Sequence, residues 1–287
     1  MLSQSPDIRA GLYIVATPIG TASDISLRAL HLIANSNVLV AEDKRNLLKL
    51  MKIHDIKLDG RQLLSYHDHN GQDTRPKIMN LLTEQKSVVF VSDAGTPLIA
   101  DPGYRLVLEA ISNEFYVSGA PGASAVLAAL IISGLPTDKF FFGGFIPSKT
   151  EAINVFFKKY LSIPATLVFF ESSTRLSKTL AHLCLICEPG RRIVVCRELT
   201  KRFEEVKRGT LKEVAEYFIS RGRVKGEIVL LLSPPQPESF SNGYIDKMLI
   251  DALDYMSSKD AVNFVARHLN MSRKFVYKRA LLIRKAF

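Results

Sequence analysis

Residues 88–105 read VVFVSDAGTPLIADPGYR, and this stretch decides the fold. Its first four residues are all apolar, which is typical of a buried strand in a mostly parallel sheet. A loop rich in Asp, Gly and Pro follows, and an apolar periodicity resumes at Leu106. A strand, a long loop and a helix in this order indicate a binding loop at the carboxyl end of a sheet. The alternative is a loop shaped only for a tight turn, but its length and its two carboxylates, Asp93 and Asp101, favour binding.

Three further apolar runs, residues 12–15, 38–41 and 63–66, also lead into polar loops. The loops read ATPIG, EDKR and HDHN, and the helix after the first of them is predicted to begin at Asp24. Strands that alternate with helices predict parallel pairing with right-handed crossovers. Because loops after parallel strands gather at one edge of the sheet, the four polar clusters should lie near one another.

The pattern changes at Gly119, and a second α/β domain is predicted after it. Its expected strands include residues 166–170, 193–196 and 227–232. The segment SPPQPESFSNG, residues 233–243, has the composition of a linker. The predicted domains are therefore α/β domains at 1–119 and 120–236 and a basic helical domain at 237–287.

Composition limits the class of protein. The 287 residues are 47% hydrophobic, enough for a real core, yet no apolar run approaches the roughly 18 residues of a membrane span. The start of the chain lacks the apolar segment of a signal peptide, and three cysteines fit a reducing compartment, so we expect a cytoplasmic protein. The net charge of +10 favours an anionic partner such as nucleic acid. Half of that charge lies after Ser241, where nine Lys or Arg face four Asp.

Several familiar motifs are missing from the sequence. It contains no strand-linked GxGxxG, no GxxxxGK[ST], no HExxH and no GxSxG, which argues against dinucleotide dehydrogenases, P-loop enzymes, zinc proteases and serine hydrolases. Cys184 and Cys187 have no second pair, so we interpret them as core cysteines. His67 and His69 lack a further ligand, so a loop-structuring or phosphate-binding role is favoured over a metal site. No metal is predicted.

Eight segments together resemble the tetrapyrrole methylase superfamily, whose members use S-adenosylmethionine without a Rossmann GxGxxG. The segments are LYIVATPIG (12–20), AEDKR (41–45), HDHN (67–70), VSDAGTPLIADPGY (91–104), PGASA (121–125), FFESSTR (169–175), RELTKRFEE (197–205) and KGEIVLLL (225–232). Within the superfamily the chain is most similar to the branch that methylates a cytidine 2′-oxygen of 16S ribosomal RNA, at position 1402 in the usual rRNA numbering. Thr21 and Ala22 depart from the family's usual Asn-Leu, and Lys44 stands where Thr is common.

The resemblance implies the fold and the cofactor. It implies two α/β domains with an S-adenosylmethionine cleft between them, followed by a small helical domain resembling a helix-turn-helix. The cofactor residues that it implies are Ser92, Asp93, Ala94, Gly95, Thr96, Pro97, Ile99, Asp101, Ser124, Ala125, Glu171, Arg197, Glu198, Leu199, Gly226, Glu227 and Ile228. For two pairs, Glu171 with Arg175 and Arg197 with Glu198, an interdomain ion pair is the alternative interpretation.

The catalytic residues are predicted on the strand-end loops beside the cofactor loop. Methyl transfer to an oxygen requires an aligned acceptor hydroxyl and a group that takes its proton. The candidates for orienting the acceptor are Glu42, Asp43, Arg45, His67, Asp68 and Asn70. One carboxylate is expected to assist deprotonation, and the choice between Glu42 and Asp43 stays open.

The C-terminal segment is predicted to bind RNA. At about 100° per residue, Lys274, Lys278 and Lys285 share one stripe of a helix, while Val276, Ala280 and Ile283 face the other way. Arg279 joins the stripe as an RNA contact, although a merely solvated face is the alternative. The expected partner is 16S rRNA in the small subunit, with no membrane contact, and the family implies a homodimer. The rival functions are a tetrapyrrole (precorrin) methyltransferase and a non-catalytic RNA-binding assembly factor.

Overall fold

The computed structural model describes residues 8–188, 190–235, 242–269 and 271–286. The chain divides into two compact units, residues 1–234 and 235–287. Most of the predicted linker at 233–243 lies outside the described residues.

The first sheet of the larger unit is wholly parallel, as predicted. Its strands are β1 (Gly11–Val15), β2 (Val38–Ala41), β3 (Gln62–Ser65), β4 (Ser87–Val91) and β5 (Val117–Ala120), in the order β3-β2-β4-β1-β5. Helices α1 (Leu27–Asn35), α2 (Lys44–Ile53), α3 (Gly71–Thr83) and α4 (Tyr104–Ser112) connect them. Val91 pairs with both Val15 and Ala41, so three strands end level and their loops begin at one edge.

The central strand β4 is buried on both faces, which explains its continuous apolar run. Val88 and Phe90 pack in one hydrophobic cluster, while Val89 and Val91 pack in another on the opposite face. Helix α1 begins at Leu27 and not at the predicted Asp24. The Ser26 side chain accepts a hydrogen bond from the Ala29 N–H and so caps the helix there.

The second sheet is mixed. The elements are α5 (Ala125–Ser133), β6 (Phe140–Phe145), α6 (Thr150–Tyr160), β7 (Thr166–Ser172), α7 (Leu176–Ile186), β8 (Arg192–Arg197), β9 (Glu205–Thr210), α8 (Leu211–Arg221) and β10 (Glu227–Leu232). The strand order is β6-β7-β10-β8-β9, with β6 and β7 parallel and the other pairs antiparallel. The two faces of β10 enter separate clusters, through Leu230 on one side and Leu231 on the other.

The smaller unit is helical, with α9 (Asn242–Leu253), α10 (Ser258–His268) and α11 (Arg273–Ala286). Val276, Ala280 and Ile283 pack into its core, as the helical periodicity predicts. None of the helices in the described ranges combines the length and apolar character of a membrane span. Cys196 is buried, but Cys184 is exposed, so its interpretation as a core residue was wrong. Its helix α7 turns Leu180 and Leu183 inward instead.

Candidate active site

Loops from β1, β2, β3 and β4 interlock at the carboxyl edge of the first sheet. Thr17 and Gly95 exchange two backbone hydrogen bonds, at 2.9 and 3.0 Å, which join the β1 and β4 loops. The Ser65 hydroxyl donates to the Glu42 carbonyl at 3.2 Å. The Asp93 N–H donates to the Glu42 carboxylate at 3.3 Å. The four polar clusters therefore lie together, as the parallel topology predicts.

The loop after β4 has an unusual backbone. Gly95 and Gly103 adopt φ values of +77° and +125°, which suit glycine. Leu98 and Ala100 also have positive φ, at +71° and +64°. Such residues cost of order 1–3 kcal/mol each and persist where the surrounding structure holds them, often at binding sites.

A cavity of about 460 Å³ lies beside this loop, within the size range of small-molecule sites. It receives residues from loops of the first sheet and from strands of the second. Apolar walls come from Ile19, Val126, Phe145, Phe170 and Val229, and carboxylates from Glu42, Asp93 and Asp101. This combination suits a ligand with an apolar part and a cationic part.

Most of the predicted cofactor residues line this cavity. They are Asp93, Ala94, Gly95, Thr96, Ile99, Asp101, Ser124, Ala125, Glu171, Gly226, Glu227 and Ile228. Ser92, Pro97, Arg197, Glu198 and Leu199 are described by the structure but do not line it. Ser92 sits behind the loop, where its carbonyl accepts a hydrogen bond from the Thr17 hydroxyl at 3.3 Å.

The segment after β8 supports the cavity from behind. Arg197 pairs with Glu205 at 2.8 Å rather than with Glu198, so the alternative Arg197–Glu198 ion pair does not form. Glu198 accepts a hydrogen bond from the Glu227 N–H at 3.0 Å and pairs with Lys201 at 3.0 Å. Gly226 has φ +103°, which favours glycine, and a Cβ added there would come within 2.5 Å of the Glu198 side chain, which would have to move.

Thr21, which departs from the family pattern, links the loop after β1 of the first sheet to the second sheet. Its N–H donates to the Thr200 hydroxyl at 3.1 Å, and its own hydroxyl donates to the Thr200 carbonyl. The first loop is therefore tied to the β8–β9 connection.

Glu171 lines the cavity, but its charge is already satisfied. Arg175 pairs with it at 2.6 Å, and the Ser172 N–H and Thr179 hydroxyl donate to it. The ion pair lies within one strand–helix connection, so it is local and not interdomain.

The pKa values of the two candidate proton acceptors, Glu42 and Asp43, are shifted in opposite directions. Burial is the main cause that raises the pKa of Glu42, and the nearby negative charges of Asp93, Asp101 and Asp68 raise it further. The hydrogen bond from the Asp93 N–H lowers the pKa of Glu42 but does not cancel this rise. Hydrogen bonds from Arg45 lower the pKa of Asp43 to about 2. The Asp43 carboxylate also caps α2 by accepting from the Arg45 N–H at 2.8 Å.

Within the HDHN loop, Asn70 has a structural position. Its side chain accepts from the His67 N–H at 2.8 Å and donates to the Ser65 carbonyl at 3.0 Å. His67 is partly buried, whereas Asp68 and His69 are exposed. Among the described residues, no three His, Cys, Asp or Glu side chains are grouped so as to hold a metal ion.

Several lining residues were not predicted from the sequence. Ile19 lies in the loop after β1, Val126 lies in α5, and the others lie on or next to strands of the second sheet: Phe145, Phe170, Ser172, Ser173 and Val229. Strand alternation was an available signal, because Phe169 and Phe170 of β7 must face opposite sides. Phe169 packs in the core, which leaves Phe170 for the cavity side.

The predicted RNA-binding residues of α11 differ in availability. Lys274 and Lys278 are exposed. Arg279 is held by Asp246 of α9, with its Nε 2.9 Å from the carboxylate, so its guanidinium is engaged inside the unit. Lys285 belongs to α11, but its side chain lies outside the described part of the chain.

The fold and the cavity agree with what sequence comparison finds. The profile of the family described as Tetrapyrrole (Corrin/Porphyrin) Methylases matches residues 11–215, and the chain belongs to this family. Among its relatives, the Ribosomal RNA small subunit methyltransferase I of Mesorhizobium japonicum is 39% identical over 274 residues, covering 96% of this chain and 92% of that protein. The protein of the same name from Rickettsia prowazekii is 42% identical over 226 residues, or 79% of each chain.

Solved structures of the same fold are more distant in sequence. The uroporphyrin-III C-methyltransferase of Thermus thermophilus superimposes with a TM-score of 0.55 at 16% identity, covering 78% of this chain and 94% of that one. A structure of this Thermus enzyme complexed with S-adenosyl homocysteine gives 0.54 at 19% identity, covering 78% and 97%. Diphthine synthase gives 0.58 at 17%, covering 77% and 89%. These similarities show a shared fold.

Proposed function

We propose that the chain is an S-adenosylmethionine-dependent methyltransferase that modifies a ribose 2′-oxygen of small-subunit ribosomal RNA. The observation that carries the proposal is the near full-length similarity to the ribosomal RNA small subunit methyltransferase I of Mesorhizobium japonicum. We take residues 1–119 and 120–236 as the two halves of the methyl-transfer part. Residues 237–287 form the RNA-binding part.

The cavity suits the proposed cofactor in size and in chemistry. Its apolar walls fit an adenosine group, and its carboxylates fit the cationic amino and sulfonium groups of the same molecule. The residues that would hold it are the loop 93–96, Asp101, Ala125 and Ile228. When bound, the cofactor supplies an activated methyl group to an acceptor held in line.

Glu42 is the proposed proton acceptor. It lines the cavity, and its raised pKa makes its carboxylate a better base near neutrality than an ordinary glutamate. Asp43 is a weaker base because Arg45 stabilises its ionised form. Asp43, Arg45 and Asn70 therefore act by shaping the loops, while His67 and Asp68 remain proposed acceptor-side groups.

RNA attraction is assigned to the smaller unit. Lys274 and Lys278 are exposed and make no ion pair with any described residue, whereas Arg279 is given a packing role because Asp246 holds it. Contacts of this kind bind phosphates without reading sequence. A small-subunit substrate would place the protein in the cytoplasm.

We also propose a homodimer. The single chain exposes large apolar side chains that a dimer interface would cover, among them Leu27, which is 83% exposed, and Ile131, which is 76% exposed. Sedimentation of the purified protein tests this proposal. A monomer at micromolar concentration would contradict it.

A tetrapyrrole methyltransferase is not favoured. The relatives named for ribosomal RNA reach 34–42% identity, whereas the tetrapyrrole enzymes share only the fold at 16–19%. A non-catalytic assembly factor would not explain why Glu42 lines a cofactor-sized cavity, nor why the pKa of Glu42 is raised there.

The test is methyl transfer from labelled S-adenosylmethionine to alternative acceptors. Small ribosomal subunits from cells lacking the enzyme, large subunits and a uroporphyrinogen are incubated separately with the protein. Label is expected in small-subunit RNA alone, and the Glu42→Gln variant serves as the inactive control. Label in the uroporphyrinogen would overturn the proposal, and cofactor binding without transfer to any acceptor would favour the assembly factor.

A further inference from the structure

A second cavity, of about 380 Å³, adjoins the cofactor-sized one. Asp101 lines both, so a single side chain stands in the wall between them. We call the second space the Arg105 cavity. Its lining includes Asp68, Gly71, Arg75, Asp101, Tyr104 and Arg105.

Two helices begin at this cavity. Gly71 is the first residue of α3 and Tyr104 is the first of α4, and both line it. The preceding residues, Asn70 and Gly103, make no side-chain capping hydrogen bond. The N–H groups of the first turns and the positive ends of the two helices therefore favour a negatively charged group in this cavity.

Two arginines supply the main attraction. Arg75 lies in the wall with its Nε atom 3.2 Å from Oε2 of Glu109, yet this buried Nε makes no hydrogen bond within the described residues. Arg105 is exposed and forms no ion pair with any described residue. Arg105 is thus a lining cation that makes no ion pair among the described residues.

Asp68 and Asp101 stand in the same lining, so a bare inorganic anion is a poor match. A ribose phosphate matches better. Its phosphate oxygens accept from guanidinium and helix N–H groups, and its hydroxyl donates to a carboxylate. The exposed ring of Tyr104 adds a surface on which a base can stack.

From this arrangement we propose that the Arg105 cavity binds a ribose-phosphate unit of the RNA strand that carries the acceptor. The inference deepens the proposed function and rests on it. The shared wall at Asp101 then positions the strand next to the methyl donor, which is the alignment that in-line transfer requires.

The test replaces the free cation. Arg105→Gln is compared with Arg105→Lys, which keeps the charge, and with Lys77→Gln. Lys77 is an exposed cation on α3 about 200° around the helix from Arg75, and it does not line the cavity. The Michaelis constant for small subunits is measured from low to moderate salt, together with the dissociation constant for S-adenosylhomocysteine.

Arg105→Gln is expected to raise the KM for small subunits about tenfold, the size of one lost charge-assisted hydrogen bond. It should also flatten the log–log salt slope by about 0.7 to 0.9 and leave cofactor affinity unchanged. Arg105→Lys should restore the slope, and Lys77→Gln should behave as the wild type.

A wild-type KM and slope in Arg105→Gln would overturn the inference, as would an equal effect of Lys77→Gln. A wild-type protein that methylates no small subunit would overturn the proposed function instead. In that case binding of a short single-stranded oligoribonucleotide decides the inference: weaker binding by Arg105→Gln than by Lys77→Gln supports it, and equal binding refutes it.

Discussion

Replacing Gly95 with alanine tests whether the β4 loop holds the cofactor. Gly95 has φ +77°, where an L side chain costs about 1–2 kcal/mol. Its Cβ would also lie 3.2 Å from Cγ2 of Ile19, which must give by a few tenths of an ångström. Crowding of this kind costs roughly 1 kcal/mol more. The free energy of unfolding should therefore fall by about 2–3 kcal/mol in Gly95→Ala.

Gly60→Ala is the matched control. Gly60 has nearly the same φ, +72°, but a Cβ there meets nothing within 4 Å, and Gly60 does not line the cavity. It should lose only the backbone contribution of about 1–2 kcal/mol. Because Gly95 and Ile19 both line the cavity, Gly95→Ala alone should raise the dissociation constant for S-adenosylhomocysteine about tenfold.

Denaturant unfolding gives the stabilities, and titration calorimetry gives the affinities. A folded Gly95→Ala protein with wild-type affinity would refute the assignment of this loop to the cofactor. Equal loss of affinity in Gly60→Ala would refute the argument from local contacts.

Three further outcomes follow from the same geometry. Glu42→Gln should lower kcat by about 10²–10⁴ with little change in cofactor affinity. Burial raises the pKa of Glu42 in the folded protein above its pKa in the unfolded chain. The protonated Glu42 side chain therefore contributes stability at pH values below the unfolded-state pKa, and this contribution is lost as the pH rises through the folded-state pKa. Glu42→Gln should therefore gain stability relative to the wild type as pH rises, and wild-type kcat should rise with pH through the same pKa. Asp43→Ala should reduce kcat less than Glu42→Gln while destabilising the protein above pH 4, because the lowered pKa of Asp43 makes its ionised form stabilising there. Deleting residues 235–287 should spare cofactor affinity, weaken subunit binding and flatten its salt dependence in filter-binding assays, and a truncated protein with the original slope would contradict the RNA-binding role.

Local patterns predicted the first sheet well because its strands are short, apolar and buried. The run Val88–Val91 has no polar alternation because both of its faces pack in cores. The second sheet was harder to predict. Strand β9 (Glu205–Thr210) reads EVKRGT and lies at the sheet edge, half buried, so no apolar run marks it. The start of α1 was misplaced because Ser26, and not Asp24, supplies the capping oxygen.

The topology of parallel strands placed the candidate site, but side-chain partners needed three dimensions. Two examples are the ion pairs Asp43–Arg45 and Arg279–Asp246. Each pair depends on the path of the backbone between its two residues. Glu42 and Asp43 are adjacent in sequence and chemically alike, yet one faces the cavity and the other caps a helix. Only the structure shows that their surroundings differ.

The most direct measurement is nucleoside mass spectrometry on small-subunit RNA before and after incubation with the purified protein and S-adenosylmethionine. The subunits come from cells that lack the enzyme. We expect one new 2′-O-methylated nucleoside to appear with the wild-type protein and, over the same incubation, far less of it with Glu42→Gln. A methyl group found on a base, or unmodified RNA from a protein that binds the cofactor, would contradict ribose 2′-O-methylation by this protein.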